Sequence, residues 1–237
     1  MTIAERKNTI VARRVGRRVS LNAGAPAEAW QSADWVTFSS DWQGHNADPG
    51  LETKVQLLWF PGAEAGGQDM GSARRPTEDH GAALYLRFEC GYRELFVFED
   101  CEPNGWRDHL WDRDVAEAFL QPGDEKSPPT NTYSEFEIAP NGMWIDLDIS
   151  PRGRRDLNSG LSRSVHVDRE RKMWMAELAI PLRALVPAFD PNISWRANFY
   201  RIEGRSEPRR YLAWQPTGAP QPNFHVPRAF GILRFEL

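Results

Sequence analysis

Between His109 and Ser150 the chain reads HLWDRDVAEAFLQPGDEKSPPTNTYSEFEIAPNGMWIDLDIS, and two of its runs alternate between apolar and polar residues. In YSEFEI, Phe136 and Ile138 point one way while Tyr133, Glu135 and Glu137 point the other. In MWIDLDI, Met143, Ile145, Leu147 and Ile149 share a face opposite Trp144, Asp146 and Asp148. Strand side chains alternate, so this period of two predicts half-buried strands. Ala139-Pro140-Asn141-Gly142 separates them, with Pro fixing φ and Asn-Gly suited to reverse the chain, and together they predict a hairpin. A two-residue loop at Pro140-Asn141 would pair Ile138 with Met143, Glu137 with Trp144, Glu135 with Asp146 and Tyr133 with Asp148, matching apolar to apolar on one buried face.

The other face of that hairpin sets carboxylates opposite each other, which is destabilising without a partner. A third run, DVAEAFL, adds Glu117 beside Val115 and Phe119, with Ala116, Ala118 and Leu120 on its other side. An acidic, aromatic face of this kind calls for arginines, a cation or a hydroxyl-rich ligand.

Further strands are expected at Thr53–Phe60, Ala83–Cys90, Glu94–Phe98, Val165–Val167, Met173–Ile180, Trp195–Ile202, Tyr211–Gln215 and Phe230–Leu237. Pro26–Trp30 and Pro181–Val186 read as short helical turns, Pro61–Asp79 as a surface loop and Pro151–Arg163 as an irregular basic connection. Ten or eleven strands with few helices predict an all-β fold, an antiparallel β-sandwich of immunoglobulin-like or jelly-roll-like architecture. Ten Trp and twelve Phe supply a large core. The 237 residues show no composition break, so one domain is expected over 1–237, with residues 1–20 as a partly ordered extension carrying an exposed edge strand at Thr9–Val15.

A formal net charge of −4 argues against nucleic acid as the main partner. No apolar run approaches the ~20 residues of a membrane span. The basic N-terminus lacks a signal peptide's apolar segment, so the expected location is cytoplasmic, with the periplasm or the outside of the cell as the alternative. Cys90 and Cys101 are expected as reduced thiols. The five histidines lack zinc-ligand spacing, and no Ser-His-Asp set, phosphate loop or dinucleotide fingerprint occurs.

The segments LWDRDVAEAFLQP, YSEFEIAPNGMWIDLDI, WRANFYRIEG, YLAWQPT and PNFHVPRAFGILRF, in that order, resemble the family 9 carbohydrate-binding modules, and more closely the stand-alone family 9-like proteins. The resemblance runs from about Leu21 to the C-terminus. It implies a β-sandwich that binds sugars, often at chain ends, through two facing aromatics and a ring of polar side chains, with calcium in a structural role. By position, Trp111 matches one aromatic and Phe224 the other, Glu117 matches a sugar-binding carboxylate, and Asn223 lies near a family amide. Glu137 falls where the sugar-binding modules carry an arginine, a reversal of charge.

Each assignment has a chemical basis and a plainer competitor. Aromatic rings take the C–H faces of sugars, although a lone Trp is more often core. Glu117, Glu135, Glu137, Asp146 and Asp148 can accept from hydroxyls or bind Ca²⁺, with Asp146 and Asp148 as the metal candidates, or they can pair with Arg87, Arg113, Arg196 and Arg201. His225, beside Phe224, can donate at the rim or serve a structural hydrogen bond. The expected function is non-catalytic, lectin-like saccharide binding that requires no cofactor. One alternative is a glycoside-processing enzyme using Glu117, Glu135 and Asp146, which needs two acids roughly 5–10 Å apart, a cleft and a shifted pKa. The other is a haem-binding sandwich using Met143, Met173 or Met175 with a His.

Overall fold

The computed structural model describes residues 8–62, 81–100, 105–123 and 127–237. Thirteen strands form two packed layers among these residues. They are β1 (Thr9–Arg14), β2 (Val36–Phe38), β3 (Thr53–Phe60), β4 (Ala83–Gly91), β5 (Val115–Gln121), β6 (Tyr133–Ile138), β7 (Trp144–Ser150), β8 (Gly153–Asp156), β9 (Ser162–Asp168), β10 (Met173–Pro181), β11 (Trp195–Glu203), β12 (Arg210–Ala213) and β13 (Gly231–Phe235). One layer runs β8-β7-β6-β5-β11-β13-β1 and the other β1-β3-β4-β10-β9, with β12 paired to β11 and β2 to β3. The expected β-sandwich is therefore present.

The inner faces follow from alternation. Leu84, Leu86, Phe88 and Cys90 of β4 and Trp174, Ala176, Leu178 and Ile180 of β10 meet Ala116, Ala118 and Leu120 of β5, Phe136 and Ile138 of β6 and Phe199 of β11 in one buried cluster. Burial pushes the Cys90 thiol up to about 11, and it is free. Cys101 and most of the expected 61–79 loop lie outside the described residues.

Four expectations are corrected. β1 is an interior strand, not an edge: Thr9–Ala12 pair in parallel with Ile232–Phe235, then Arg13–Arg14 pair in parallel with Leu58–Trp59. Its first half thus belongs to one layer and its second half to the other, and Arg13 is matched by Asp34 at 2.8 Å and Glu236 at 2.9 Å. Residues 94–98 form no strand. Part of the stretch read as irregular, Gly153–Asp156, is an edge strand on β7.

The fourth correction is the hairpin register. Ile138 faces Trp144, Glu137 faces Ile145, Phe136 faces Asp146 and Glu135 faces Leu147, one residue away from the expected pairing. The loop has three residues: Ala139 N donates to Met143 O at 2.9 Å, and Gly142 closes it at φ +85°. A three-residue loop takes a left-handed last residue, which glycine adopts without penalty. A one-residue slip exchanges faces. Ile145 and Leu147 therefore join Glu135 and Glu137 on the outer face, and Asp146 turns inward, where Oδ2 accepts from Ser159 N at 2.8 Å.

The junction of β1, β11 and β13 has no room for a side chain at Gly231. A Cβ there would meet Asn8 O and the Trp214 ring, each at 2.7 Å. Overpacking of this kind costs ~1–3 kcal/mol, so Gly231→Ala should lower stability by about that amount in a urea titration. An unchanged midpoint would show that the junction yields.

Candidate functional site

The outer face of the β7-β6-β5-β11 sheet is largely buried. Val115, Phe119, Tyr133, Ile145, Leu147, Tyr200 and Ile202 point away from the inter-sheet core yet are buried, in a second apolar cluster that includes Leu110, Phe224 and Phe230. Two loops cover this face. Phe224 stacks on Tyr200 (centroids 4.2 Å apart, 12° between planes), and the Tyr200 hydroxyl donates to Phe224 O at 3.0 Å. Asn198 Nδ2 donates to the same hydroxyl at 2.8 Å and to Gln215 O at 2.9 Å, which ties the start of this loop to β11.

The second cover is the single 3-10 turn Leu110–Asp112 that carries Trp111. It is preceded by His109 at φ +56°, in the left-handed region, and His109 N donates to Asp108 Oδ1 at 2.8 Å. Arg209 Nη1 holds the turn through Trp111 O at 3.1 Å. The Arg154 guanidinium from β8 lies over the Trp111 ring, 4.5 Å from its centroid, with Nη2 3.1 Å from Asp108 Oδ1.

Between the two covers is a cavity of about 190 Å³. Glu117, Glu135 and Glu137 line it with Leu147, Ile149 and Ile202 of the sheet, and Trp111, Arg154, Tyr211 and the 222–225 segment complete it. Trp111, Phe224, Asn223 and His225 thus share one cavity with the three glutamates. Asp146 and Asp148 do not line it. The inward turn of Asp146 follows from the register, and Asp148 is paired with Arg155 at 2.6 Å. Phe224 is 6 % exposed and one of its faces lies on Tyr200, so it has at most its other face to offer.

The arginines expected to neutralise this face are committed elsewhere. Arg87 pairs with Glu177 at 2.6 Å and Glu89 at 3.0 Å. Arg201 points inward, 5.1 Å over the Trp174 ring. Arg196 donates to Ser127 O, and Arg113 lies over Phe96 and Phe98. Sequence reasoning missed Arg154, because a four-residue edge strand leaves almost no alternation to read. It also missed Tyr211, whose environment depends on the fold of the 215–225 loop.

Glu117 on β5 is directly opposite Glu137 on β6, and Glu135 lies two residues along β6 on the same side. One oxygen from each of the three lies within 4.8 Å of the others. The side chains are only 1–3 % exposed. Among the described residues, no nitrogen or hydroxyl donor reaches Glu135 Oε2 or either oxygen of Glu137. Burial, then the charge of Glu135, holds the Glu117 carboxyl well above its usual range. Burial, then the charges of Glu117 and Glu135 and a hydrogen bond shared with Glu135, does the same to Glu137, opposed by Arg154. The Tyr133 phenol is pushed up by burial and by Glu135 and Glu117, and its oxygen is 2.6 Å from His225 Nδ1.

The donor set fits a metal only in part. Among the described residues, this trio is the one group of three that could hold an ion. Ca²⁺ takes 6–8 oxygens, and much of the remaining wall is hydrocarbon. Nor does any methionine among the described residues line the cavity. Met143 is buried beside the hairpin turn, and Met175 sits next to His166 across the β9–β10 pair, side by side on one sheet rather than on two faces of a macrocycle.

Residues 155–235 match the family model described as carbohydrate-binding family 9. No curated protein matches the chain. Among solved structures, the chain is similar over 97 % of its length to a candidate carbohydrate-binding protein from Bacteroides uniformis, of which 99 % is covered, with 18 % identity and a TM-score of 0.64. It is also similar over 96 % of its length to a family 9 carbohydrate-binding module from Caldicellulosiruptor kristjanssonii solved with cellotriose (93 % of that chain, 13 % identity, TM-score 0.61). A glucose complex of a family 9 module from the same organism gives 14 % identity over 96 % of this chain and 95 % of the other, with a TM-score of 0.58. The fold is shared throughout.

The raised carboxyls give stability a direction with pH. Above the usual glutamate value of 4.5, the folded chain holds protons at Glu117 and Glu137 that the unfolded chain has released. Their contribution is fully present below 4.5 and is lost as pH rises through the folded values. Glu137→Gln removes one such group. At pH 8 it should melt higher than the wild type, by roughly 2–4 °C per ~1 kcal/mol, with the gap closing toward pH 5. A variant that melts lower at pH 8 with the same pH slope would show that Glu137 is ionised and stabilising.

Proposed function

We propose that this chain, a protein of the carbohydrate-binding family 9 type, holds the end ring of a saccharide in the cavity between Trp111 and the 222–225 segment, without turning it over. One observation carries the reading: an aromatic and aliphatic half and a carboxylate half meet in a single cavity. A pyranose has the same division, with C–H faces that bury against rings and an edge of hydroxyls that donates to carboxylates. A volume of about 190 Å³ is below the ~300–1,000 Å³ of sites for drug-sized ligands, which favours one ring over a length of chain. The saccharides bound by relatives of this fold, cellotriose and glucose, support the class of ligand.

In this reading Trp111, flattened beneath Arg154, supplies one stacking surface and the free side of Phe224 the other. Glu117, Glu135 and Glu137 accept from ring hydroxyls, Asn223 and His225 select at the rim, and Ca²⁺ is not needed.

Hydrolysis has one observation in its favour, since the site joins a cavity to raised carboxyls. A glycosidase acid and its partner carboxylate flank the scissile bond. Glu117, Glu135 and Glu137 are neighbours on two adjacent strands and approach from the same side. That arrangement grips a ring edge and leaves the opposite side of a bond unattended.

Calorimetry with glucose, cellotriose and a panel of other saccharides tests the proposal. Stacking adds ~0.5–1.5 kcal/mol beyond area burial, and apolar burial adds ~25 cal/mol per Å². Trp111→Ala should therefore weaken the best ligand at least tenfold, since ~1.4 kcal/mol is one decade, while the melting temperature changes little. Normal binding by a variant that melts far lower would make Trp111 a core residue. Release of reducing ends that is lost in Glu117→Gln would instead establish an enzyme.

A further inference from the structure

The feature that saccharide binding alone leaves unexplained is a buried group of three carboxyls whose only donors are the exchangeable protons held on Glu117 and Glu137. Glu117, Glu135 and Glu137 bring oxygens within 4.8 Å of one another, and each side chain is at least 97 % buried. Glu135 Oε2 and both oxygens of Glu137 are buried in residues that line the cavity, with no nitrogen or hydroxyl donor from the described residues. Leaving a buried acceptor unsatisfied is destabilising, and more so for a charged one. A ligand that fills this cavity must answer that deficit.

Hydroxyl groups answer it in part, because each brings one donor together with two acceptor lone pairs. A primary ammonium brings three donors, no acceptor and a positive charge. Its N–H bonds diverge tetrahedrally, so three carboxylate oxygens at ~2.8 Å from the nitrogen would lie about 4.6 Å apart. The trio's oxygens, all within 4.8 Å of one another, allow that spacing.

The protein's own cations leave room for such a group. Arg154 lines the cavity, but it lies over Trp111 with Asp108 beside it. Arg209, whose charge acts on Glu117, donates to Trp111 O and to Gly204 O at 2.9 Å. Neither makes a hydrogen bond to the three carboxylates, and His225 Nδ1, 4.0 Å from Glu135 Oε2, lies beyond hydrogen-bond reach. The hydrocarbon of Leu147, Ile149, Ile202 and Phe224 around the trio suits an organic cation better than a metal ion, whose shell would have to be completed mostly by water.

We propose, resting on the saccharide reading above, that the ligand of this cavity is an amino sugar with a free, protonated amine, its ammonium seated among Glu117, Glu135 and Glu137. The ring then occupies the aromatic half, and acylation of the nitrogen, which removes the charge and two of the donors, abolishes the fit.

The test is calorimetry of the full chain at pH 6.5 with glucosamine, N-acetylglucosamine and glucose, and separately with CaCl₂. Glucosamine should bind at least tenfold more tightly than either other sugar, and Glu137→Gln and Glu117→Gln should each collapse that ratio toward one. The wild-type ratio needs no variant and stands even if a variant fails to fold. Equal binding of glucose and glucosamine would overturn the amine and leave the saccharide reading intact. Binding of Ca²⁺ with no sugar bound in its presence or absence would overturn both and make the trio a metal site. Binding of none of the four would also remove both.

Discussion

Exclusion of water from the outer face of the β7-β6-β5-β11 sheet is the condition on which this site depends. A sandwich sheet ordinarily leaves its outer face to solvent, and the alternation of apolar and polar residues reflects it. Here the outward positions of β5, β6, β7 and β11 include Phe119, Tyr133, Ile145, Leu147, Tyr200 and Ile202, and two loops close over them. The Tyr200–Phe224 stack and the hydroxyl bond between the same two residues fasten one loop. The bond from Arg209 to the Trp111 carbonyl fastens the other. Glutamates that would be ordinary solvated residues on an open face become, under these covers, groups with few neighbours to bind.

The covers also set the electrostatics. Two carboxylates directly opposite on adjacent strands repel each other, and in water that repulsion is small because the solvent screens it. Under the loops, desolvation is the largest influence on Glu117 and Glu137 and acts in the same direction as their mutual repulsion. The fold answers by favouring protonation, since isolated buried charge is far more costly than a raised pKa. The cavity is consequently neutralised in part by protons that a ligand can displace. The stability given up at this face is recovered elsewhere, in the inter-sheet core and in β1, which pairs with a strand of each layer.

Much of this was legible in the sequence where a rule of period two applies over several residues. The inner faces of β4, β5, β6 and β10 are those the alternation predicts, because burial on one side and not the other is what alternation encodes. The hairpin turn was legible as a turn but not as a register. Pro140-Asn141-Gly142 supports a two- or a three-residue loop, and only the left-handed Gly142 of the longer one decides. That single residue moved Asp146 from the supposed acidic face into the interior and brought Ile145 and Leu147 out beside the glutamates. β1 was misplaced for a different reason: arginines suit an exposed edge, and nothing local reveals that Arg13 would find Asp34 and Glu236. The seven side chains singled out for a ligand do line one cavity. Their shared burial was not legible, because it comes from loops whose sequence carries no period.

The position of the positive charge ties these threads together. By resemblance, Glu137 stands where sugar-binding modules carry an arginine, which would answer the neighbouring Glu117 directly across the strand pair. In this chain the cavity still has an arginine, but it is Arg154, supplied by the edge strand β8 through its pairing opposite Ile149. From there the guanidinium covers Trp111 and meets Asp108 at the rim instead of reaching the carboxylates by hydrogen bond. Moving the cation from floor to wall changes the chemistry in two ways at once. It stiffens the aromatic surface, since a ring held under a guanidinium has less freedom to lose when a ligand stacks. It also leaves the floor with three acceptors and no fixed donor, so the cavity that an internal ion pair would have closed is left to be completed from outside.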